Sequence, residues 1–407
     1  MRSQVEGSQA IAETVARCRP DVIAAYPISP QTHIVEALSD LVATGEAGEC
    51  RYLMVESEFG AMSACIGASA AGGRAYTATS SQGLLFMAEA LPNASGLRLP
   101  VVMTVANRAL GAPINIWNDH SDAMSQRDAG WVQLFAGSNQ EATDLHVQAF
   151  ALAERLSVPV MVCVDGFVLT HAMEEIDVPE QDQVEALLPP FEPLHVLDPD
   201  EPVTIGAMVG PEAFTEVKYL EAHRQLRALD AVRDVAREFR ELVGRDSGGL
   251  VSAYRVQDAD LVLVALGSVL GTAADVVDEL RDEGILAGTL GVTCFRPWPL
   301  DEVRESLAGA SQVVVLNRAV SVGSGSILGQ DVRLALTGER TRVHDVVVGL
   351  GGRPVTRHGL RRLVEDVLAG RISDGVLTFP DLDVDLVSRE LSREYGETTA
   401  SAQLEAP

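Results

Sequence analysis

Four short segments set polar side chains just past the ends of apolar strands, which is where open α/β sheets hold their ligands. In Tyr26-Pro27-Ile28-Ser29-Pro30 two prolines stiffen a strand-to-helix turn and place Ser29 between them. That hydroxyl either caps the next helix, as Thr32 also could, or is presented by a rigid loop to a substrate. In Val55-Glu56-Ser57-Glu58-Phe59-Gly60-Ala61 a strand end runs into a helix rich in Ala and Gly. Ser57 fits an N-cap, and Glu56 or Glu58 in the first turn is favoured by the helix dipole. The helix is so apolar that a carboxylate at Glu58 would be poorly hydrated, which suits it to sharing a proton with a ligand.

The third segment, Thr79-Ser80-Ser81-Gln82-Gly83, opens another helix with side chains that cap it or, at Ser81 and Gln82, hold the polar edge of a cofactor. The fourth runs from Ala106-Asn107-Arg108 to Asp119-His120 and alternates polar residues with Ile114, Ile116 and Trp117. A loop facing only water has no use for those three, so it is expected to pack over a pocket. Arg108, desolvated there, needs an anion: either a substrate carboxylate taken by its two-pronged guanidinium or an internal Asp or Glu.

The elements that would position these loops alternate. Apolar runs at 21–26, 52–55, 75–79, 100–106 and 159–164 predict buried strands, and 31–41, 58–71, 82–95 and 141–156 predict helices. Such alternation builds a mostly parallel sheet covered on both faces. A Pro- and Glu-rich stretch and a charged helix over 219–242 follow. A second α/β unit then has strands at 260–266, 287–292, 312–317 and 342–348 and helices at 269–283 and 300–307. The expected division is 1–175 and 253–372 as domains, 176–252 as linker and connecting helix, and 373–407 as an acidic tail whose last dozen residues are mobile.

Composition narrows the chemistry. A chain of 407 residues with 31 basic and 58 acidic side chains carries a net charge of −27, which disfavours nucleic acid and anionic lipid as partners. No apolar run approaches the roughly 20 residues needed to span a bilayer, and the amino terminus has no secretory pattern, so a cytoplasmic protein is expected. Cys18, Cys50, Cys65, Cys163 and Cys294 stand singly, without the close pairs that hold zinc or iron–sulfur clusters, and no metal-ligating residue is assigned to this chain. Lys218 is the only lysine and follows no glycine loop, which excludes a Walker-type phosphate site. Zinc-protease and serine-hydrolase motifs are absent, and the run Gly323 to Gly329 misses the dinucleotide-binding spacing.

Five motifs in order resemble one family over about residues 7–368: Tyr26 to Pro30, Glu56 to Gly60, Thr77 to Leu84, Asn107 to Asp119, and Gly349 to Thr356. They are similar to the alpha subunit of pyruvate:ferredoxin oxidoreductase. The resemblance implies a thiamine-diphosphate-binding, pyrimidine-type parallel-sheet domain plus a transketolase C-terminal-like α/β domain. It also implies oxidative decarboxylation of a 2-oxo acid, acyl transfer to CoA, and passage of two electrons to ferredoxin. By resemblance Glu58 touches the pyrimidine nitrogen of the cofactor, while Arg108 and Ser29 contact the substrate. The family usually has Thr at position 29; Ser keeps the hydroxyl and loses a methyl.

The diphosphate-and-magnesium motif of this cofactor class is missing, since Asp165-Gly166 reads as a strand-end turn. The resemblance therefore places diphosphate and Mg²⁺ with a beta subunit, and [4Fe-4S] clusters with that and gamma- or delta-type subunits. Pyruvate is the expected substrate. Another 2-oxo acid (2-oxoglutarate, a branched-chain acid, oxalate) and a non-catalytic scaffold subunit are the alternatives.

Overall fold

The computed structural model describes residues 2–396, 401 and 403–405, so the expectation for the last dozen residues falls largely outside the described chain. Two compact units form, Met1–Val251 with Thr293–Pro299 and Ser252–Val292 with Leu300–Pro407.

The first unit contains, in order, β1 (Arg2–Glu6), α1 (Gly7–Arg17), β2 (Val22–Ala25), α2 (Thr32–Ala43), β3 (Arg51–Met54), α3 (Glu58–Ala70), β4 (Ala75–Thr79), α4 (Ser81–Phe86) and α5 (Ala90–Gly96). It continues with β5 (Val101–Asn107), α6 (Ser121–Ser125), β6 (Val132–Phe135), α7 (Asn139–Leu156), β7 (Val160–Asp165), β8 (Met173–Asp177), α8 (Gln181–Leu187) and α9 (Phe214–Val243). The chain then passes through β9 (Val251–Tyr254), β10 (Leu261–Ala265), α10 (Val269–Asp282) and β11 (Ala287–Val292) before β12 (Cys294–Arg296). The second unit ends with α11 (Leu300–Leu307), β13 (Gln312–Asn317), α12 (Ile327–Ala335), β14 (Arg342–Val347), α13 (Arg357–Leu368), β15 (Val376–Thr378), α14 (Val384–Tyr395) and β16 (Gln403–Glu405).

The first unit's main sheet has the order β12-β6-β7-β5-β4-β2-β3, parallel except for β12. Its central strands β4, β5 and β7 are buried at every residue, as their unbroken apolar runs require of strands covered on both faces. Parallel pairing brings the ends of β2, β3, β4, β5 and β7 to one edge. The core beneath is built on Ile11, Ile23, Leu38, Tyr76, Phe150 and Phe239, the last from α9. Residues 181–187 and 214–243, inside the segment expected to connect domains, thus sit in the first compact unit. The second unit's sheet has the order β16-β15-β14-β13-β10-β11-β9, with β10, β11, β13, β14 and β15 in parallel contact.

Three local expectations are corrected. Strand β3 is an exposed edge rather than a buried strand, with Leu53 and Met54 open to solvent. The helix expected over 82–95 is two helices, α4 and α5, because Pro92 has no N–H to donate to the carbonyl of Ala88. In the long loop after β5, Ile114, Ile116 and Trp117 lie exposed instead of covering a pocket, though Trp117 packs on Phe167 at a ring separation of 4.8 Å.

Candidate active site

Glu58 is the first residue of α3, capped by Ser57, whose hydroxyl accepts from Gly60 N at 3.1 Å. The cap fixes the start of the helix and turns the Glu58 side chain inward, where it is only 7% exposed. Among the described residues none donates a hydrogen bond to that carboxylate or pairs with it. A Cβ on Gly83 would lie 2.6 Å from both Glu58 Oε1 and Thr79 Oγ1. Gly83 is therefore needed for close approach, and Thr79 Oγ1 is itself buried without a hydrogen-bond partner. A buried carboxylate beside an unsatisfied hydroxyl is costly unless a ligand supplies the missing polar groups.

The β4 turn and the β5 loop are tied together by Asp122, from α6. Its Oδ2 accepts from Ser81 N and Arg108 N, both at 2.9 Å, and its Oδ1 from Asn107 Nδ2 at 2.8 Å and Ala123 N at 2.7 Å. Burial outweighs these donors and pushes the Asp122 carboxyl up to about 6. Ser81 adopts a left-handed backbone, φ 49°, that this anchoring holds. Its hydroxyl lies within 2.6 Å of Ala109 O and 2.5 Å of Gln82 Oε1, so it serves the turn. Gln82 is exposed, and its Nε2 reaches to 2.8 Å from where a Cβ on Gly111 would stand.

Arg108 is half-buried at the start of that loop. Its Nε donates to Asn115 O at 3.1 Å and one terminal nitrogen donates to Ser29 O at 2.9 Å. No carboxylate pairs with it among the described residues, which leaves the guanidinium held by neutral carbonyls and able to take an anion. Burial lowers its pKa from the ordinary value, and the negative Asp122 works in the opposite direction. The structure thus joins Ser29 to Arg108 through the Ser29 carbonyl. The helix following Ser29 begins at Thr32 with no side-chain cap, so neither Ser29 nor Thr32 caps it. The loop is fixed instead by Gln31, fully buried, which accepts from Ile28 N at 3.2 Å and donates to Ala78 O at 2.7 Å.

Gln31, Gly83, Asp122 and the buried pair His120 and Asp165 escaped sequence reasoning as site residues. His120 Nε2 meets Asp165 Oδ1 at 2.7 Å at the end of β7, which engages that carboxylate within the chain. Gly166 follows because a Cβ there would stand 2.4 Å from Pro30 Cγ and 2.5 Å from Asn107 O. The one sequence signal for this set was the density of short polar residues between 118 and 125.

A mostly parallel sheet with a buried acid at one strand end and a carbonyl-held arginine at another is an α/β domain whose polar groups gather at the ligand-binding edge. The chain belongs to the pyruvate flavodoxin/ferredoxin oxidoreductase family: residues 13–238 match its thiamine-diphosphate-binding domain and residues 259–360 match pyruvate:ferredoxin oxidoreductase core domain II. It is 48% identical over 367 residues to pyruvate synthase subunit PorA of Methanosarcina barkeri, covering 89% of this chain and 91% of that one. It is 40% identical to ketoisovalerate oxidoreductase subunit VorA of Pyrococcus horikoshii, covering 90% and 94%. A solved 2-oxoglutarate:ferredoxin oxidoreductase from Magnetococcus marinus shares the fold with a TM-score of 0.68 at 18% identity; the match covers 90% of this chain and spans 65% of that one.

The chain is accordingly an oxidoreductase subunit with a thiamine-diphosphate-binding domain, as the motifs implied. The residues present fit that cofactor: Glu58 would offer a buried carboxylate to a ring nitrogen, and Gly83, lacking a Cβ, leaves room for that acid where it stands. No described helix is long and apolar enough to cross a membrane.

Proposed function

We propose that this chain is the alpha subunit of an enzyme that converts pyruvate, CoA and oxidised ferredoxin to acetyl-CoA, CO₂ and reduced ferredoxin in the cytoplasm. The observation that carries the assignment is the Glu58 carboxylate, buried without a donor beside Gly83. Thiamine diphosphate, when bound, supplies the electron sink for decarboxylation. Glu58 would hold the cofactor through the pyrimidine ring nitrogen, where its buried carboxylate would support the cofactor's acid–base chemistry. Arg108 pairs with the substrate carboxylate, and the Ser29 hydroxyl orients the carboxylate or carbonyl. Gln82 lends its exposed amide to the cofactor's polar edge, while Ser81 shapes the turn that carries it.

Diphosphate, Mg²⁺ and the [4Fe-4S] clusters belong to partner chains, namely a beta subunit and gamma- or delta-type subunits. Two features support this. All five cysteines are buried and none lies in a disulfide. The elements that carry the site also expose the large apolar side chains of Met54, Phe59, Phe86, Ile114 and Trp117, the kind of surface that another subunit covers. A branched 2-oxo acid is the second reading, favoured by the VorA relatives and by the methyl that Ser29 lacks relative to Thr.

Anaerobic co-purification with the partner subunits, followed by assay of pyruvate, 2-oxoglutarate and 2-oxoisovalerate with CoA and a viologen or ferredoxin acceptor, tests the assignment. Pyruvate is expected to give the highest kcat/KM. A preference for 2-oxoisovalerate would establish the second reading. Failure with every acid in a fully loaded complex would leave a scaffold subunit.

A further inference from the structure

Away from the active acid, Glu6, His33 and His171 come together from segments far apart in sequence. Glu6 ends β1, His33 lies in the first turn of α2, and His171 belongs to the turn that follows β7. One ligand atom from each lies within 4.8 Å of the others. His33 Nδ1 is 2.6 Å from Glu6 Oε1, and the two imidazoles stack at 4.4 Å with their planes 30° apart. His171 Nδ1 is engaged by Thr170 Oγ1 at 2.8 Å, and that hydroxyl also accepts from Phe167 N at 2.8 Å. This fixes the ring and leaves Nε2 for a ligand, the outer contact that metal-bound histidines use.

We propose that Glu6, His33 and His171 form a binding site for a divalent transition cation of the zinc class, with a fourth position open to water or a partner residue. Two imidazoles and one carboxylate are the donor set that such an ion takes. A single proton can serve the His33–Glu6 pair, but it does nothing for the second imidazole stacked on it, whereas a cation satisfies all three. Thiols offer no competing site, since every cysteine is buried.

The site would brace the wall behind the substrate loop. His171 packs on Phe167 at 4.8 Å and Phe167 on Trp117 at 4.8 Å. Trp117 O in turn accepts from Ala109 N at 3.0 Å, next to Arg108. Cation binding therefore ties the ends of β1 and β7 and the start of α2 to the loop that carries the arginine.

Calorimetric titration of the metal-stripped full chain with Zn²⁺, at moderate ionic strength to suppress diffuse binding to the acidic surface, tests the site without substrate or cofactor. It can thus fail separately from the proposed reaction. One Zn²⁺ per chain is expected, with a rise in Tm on binding. His33→Ala and His171→Ala should each weaken binding by at least about tenfold. Glu6→Gln, which can still bond to His33 but loses the charge, should weaken it less, and His195→Ala at an exposed position elsewhere should leave it unchanged. Circular dichroism confirms that each variant is folded. The proposal is overturned if the wild-type chain shows no saturable binding, or if loss of both histidines leaves affinity and the Tm shift intact.

Discussion

Asparagines end a central strand in both sheets, and they are treated in opposite ways. Asn317, closing β13, donates to Val346 O at 3.3 Å and accepts from the Ser326 hydroxyl at 2.8 Å, so both ends of its amide are used within the second unit. Asn107, closing β5, donates to Asp122 but keeps a buried Oδ1 with no hydrogen-bond partner. The charged groups beside these strand ends differ as well. In the second unit Arg333 binds Asp345 at 2.9 Å and Asp374 at 3.0 Å, and Arg353 donates to Asp381 O. In the first, Glu58 and Arg108 reach the sheet edge with no opposite charge among the described residues. A fold tolerates polar groups left unsatisfied where a ligand completes them. The second unit does have a cavity of about 280 Å³, lined by Val347, Val348, Leu350, Phe379 and Leu382 among others, at whose wall Arg353 donates to the Asp381 carbonyl.

The sharpest way to break this contrast is Glu58→Gln. The amide keeps the shape of the side chain and removes the charge that shares a proton with the cofactor ring. In the reconstituted enzyme kcat should fall by about 10² to 10⁴, the range for a lost acid–base group, with the thermal unfolding curve preserved. Turnover close to that of the wild type would show that the unpartnered acid has no part in the reaction. Arg108→Lys comes next. Lysine carries the charge but cannot make two parallel hydrogen bonds to a carboxylate or reach Ser29 O and Asn115 O together. KM for the 2-oxo acid should rise by about tenfold to a hundredfold, more than kcat falls, corresponding to roughly 1.4–2.7 kcal/mol of lost binding. An unchanged KM would remove the arginine from the substrate site.

Asp122 sharpens the contrast through pH. Its carboxyl is pushed up to about 6 by burial, so it takes up a proton as the solution is acidified through that value. Protonation weakens its hold on Ser81 N and Arg108 N, and KM should climb below about pH 6. In Asp122→Asn, which cannot titrate, that inflection should vanish, and KM at neutral pH should already be raised by a few fold. Persistence of the inflection in the variant would assign it to another group. The linkage to stability has the opposite sense. The folded-state pKa lies above the unfolded value, so this group's contribution is fully present below the ordinary carboxylate range and is lost as pH rises through about 6.

These groups also mark how much of the site could be seen from the chain itself. Glu58 was legible because its signals are local: a capping Ser57, an acid in the first turn and an apolar helix behind it. Arg108 and Ser29 were legible as a charged and a hydroxyl side chain at strand ends. Gln31, Gly83 and Asp122 were not, because each acts on a residue distant in sequence: Ala78, Glu58, and Ser81 with Asn107 and Arg108. The fold was legible where strands are buried in their own sheet, as in β4, β5 and β7. It misled at β3, whose apolar Leu53 and Met54 look like core residues yet lie on an open edge.

The smallest effects come from two glycines. Gly83→Ala puts a Cβ 2.6 Å from Glu58 Oε1 and Thr79 Oγ1, so the carboxylate must move or the turn must open, at about 1–3 kcal/mol of stability. Gly271, in the first turn of α10, has nothing within 4 Å of the corresponding position and no positive φ. There an alanine only restricts the unfolded chain and favours the helix, so Gly271→Ala should stabilise by up to about 1 kcal/mol, raising Tm by a few degrees without touching activity. Differential scanning calorimetry on the two variants gives opposite signs if the free space around Glu58 is a functional feature of the first unit. Equal and positive shifts would mean that the turn at Gly83 has room to spare, and that the acid is not held in place by the lack of a side chain opposite it.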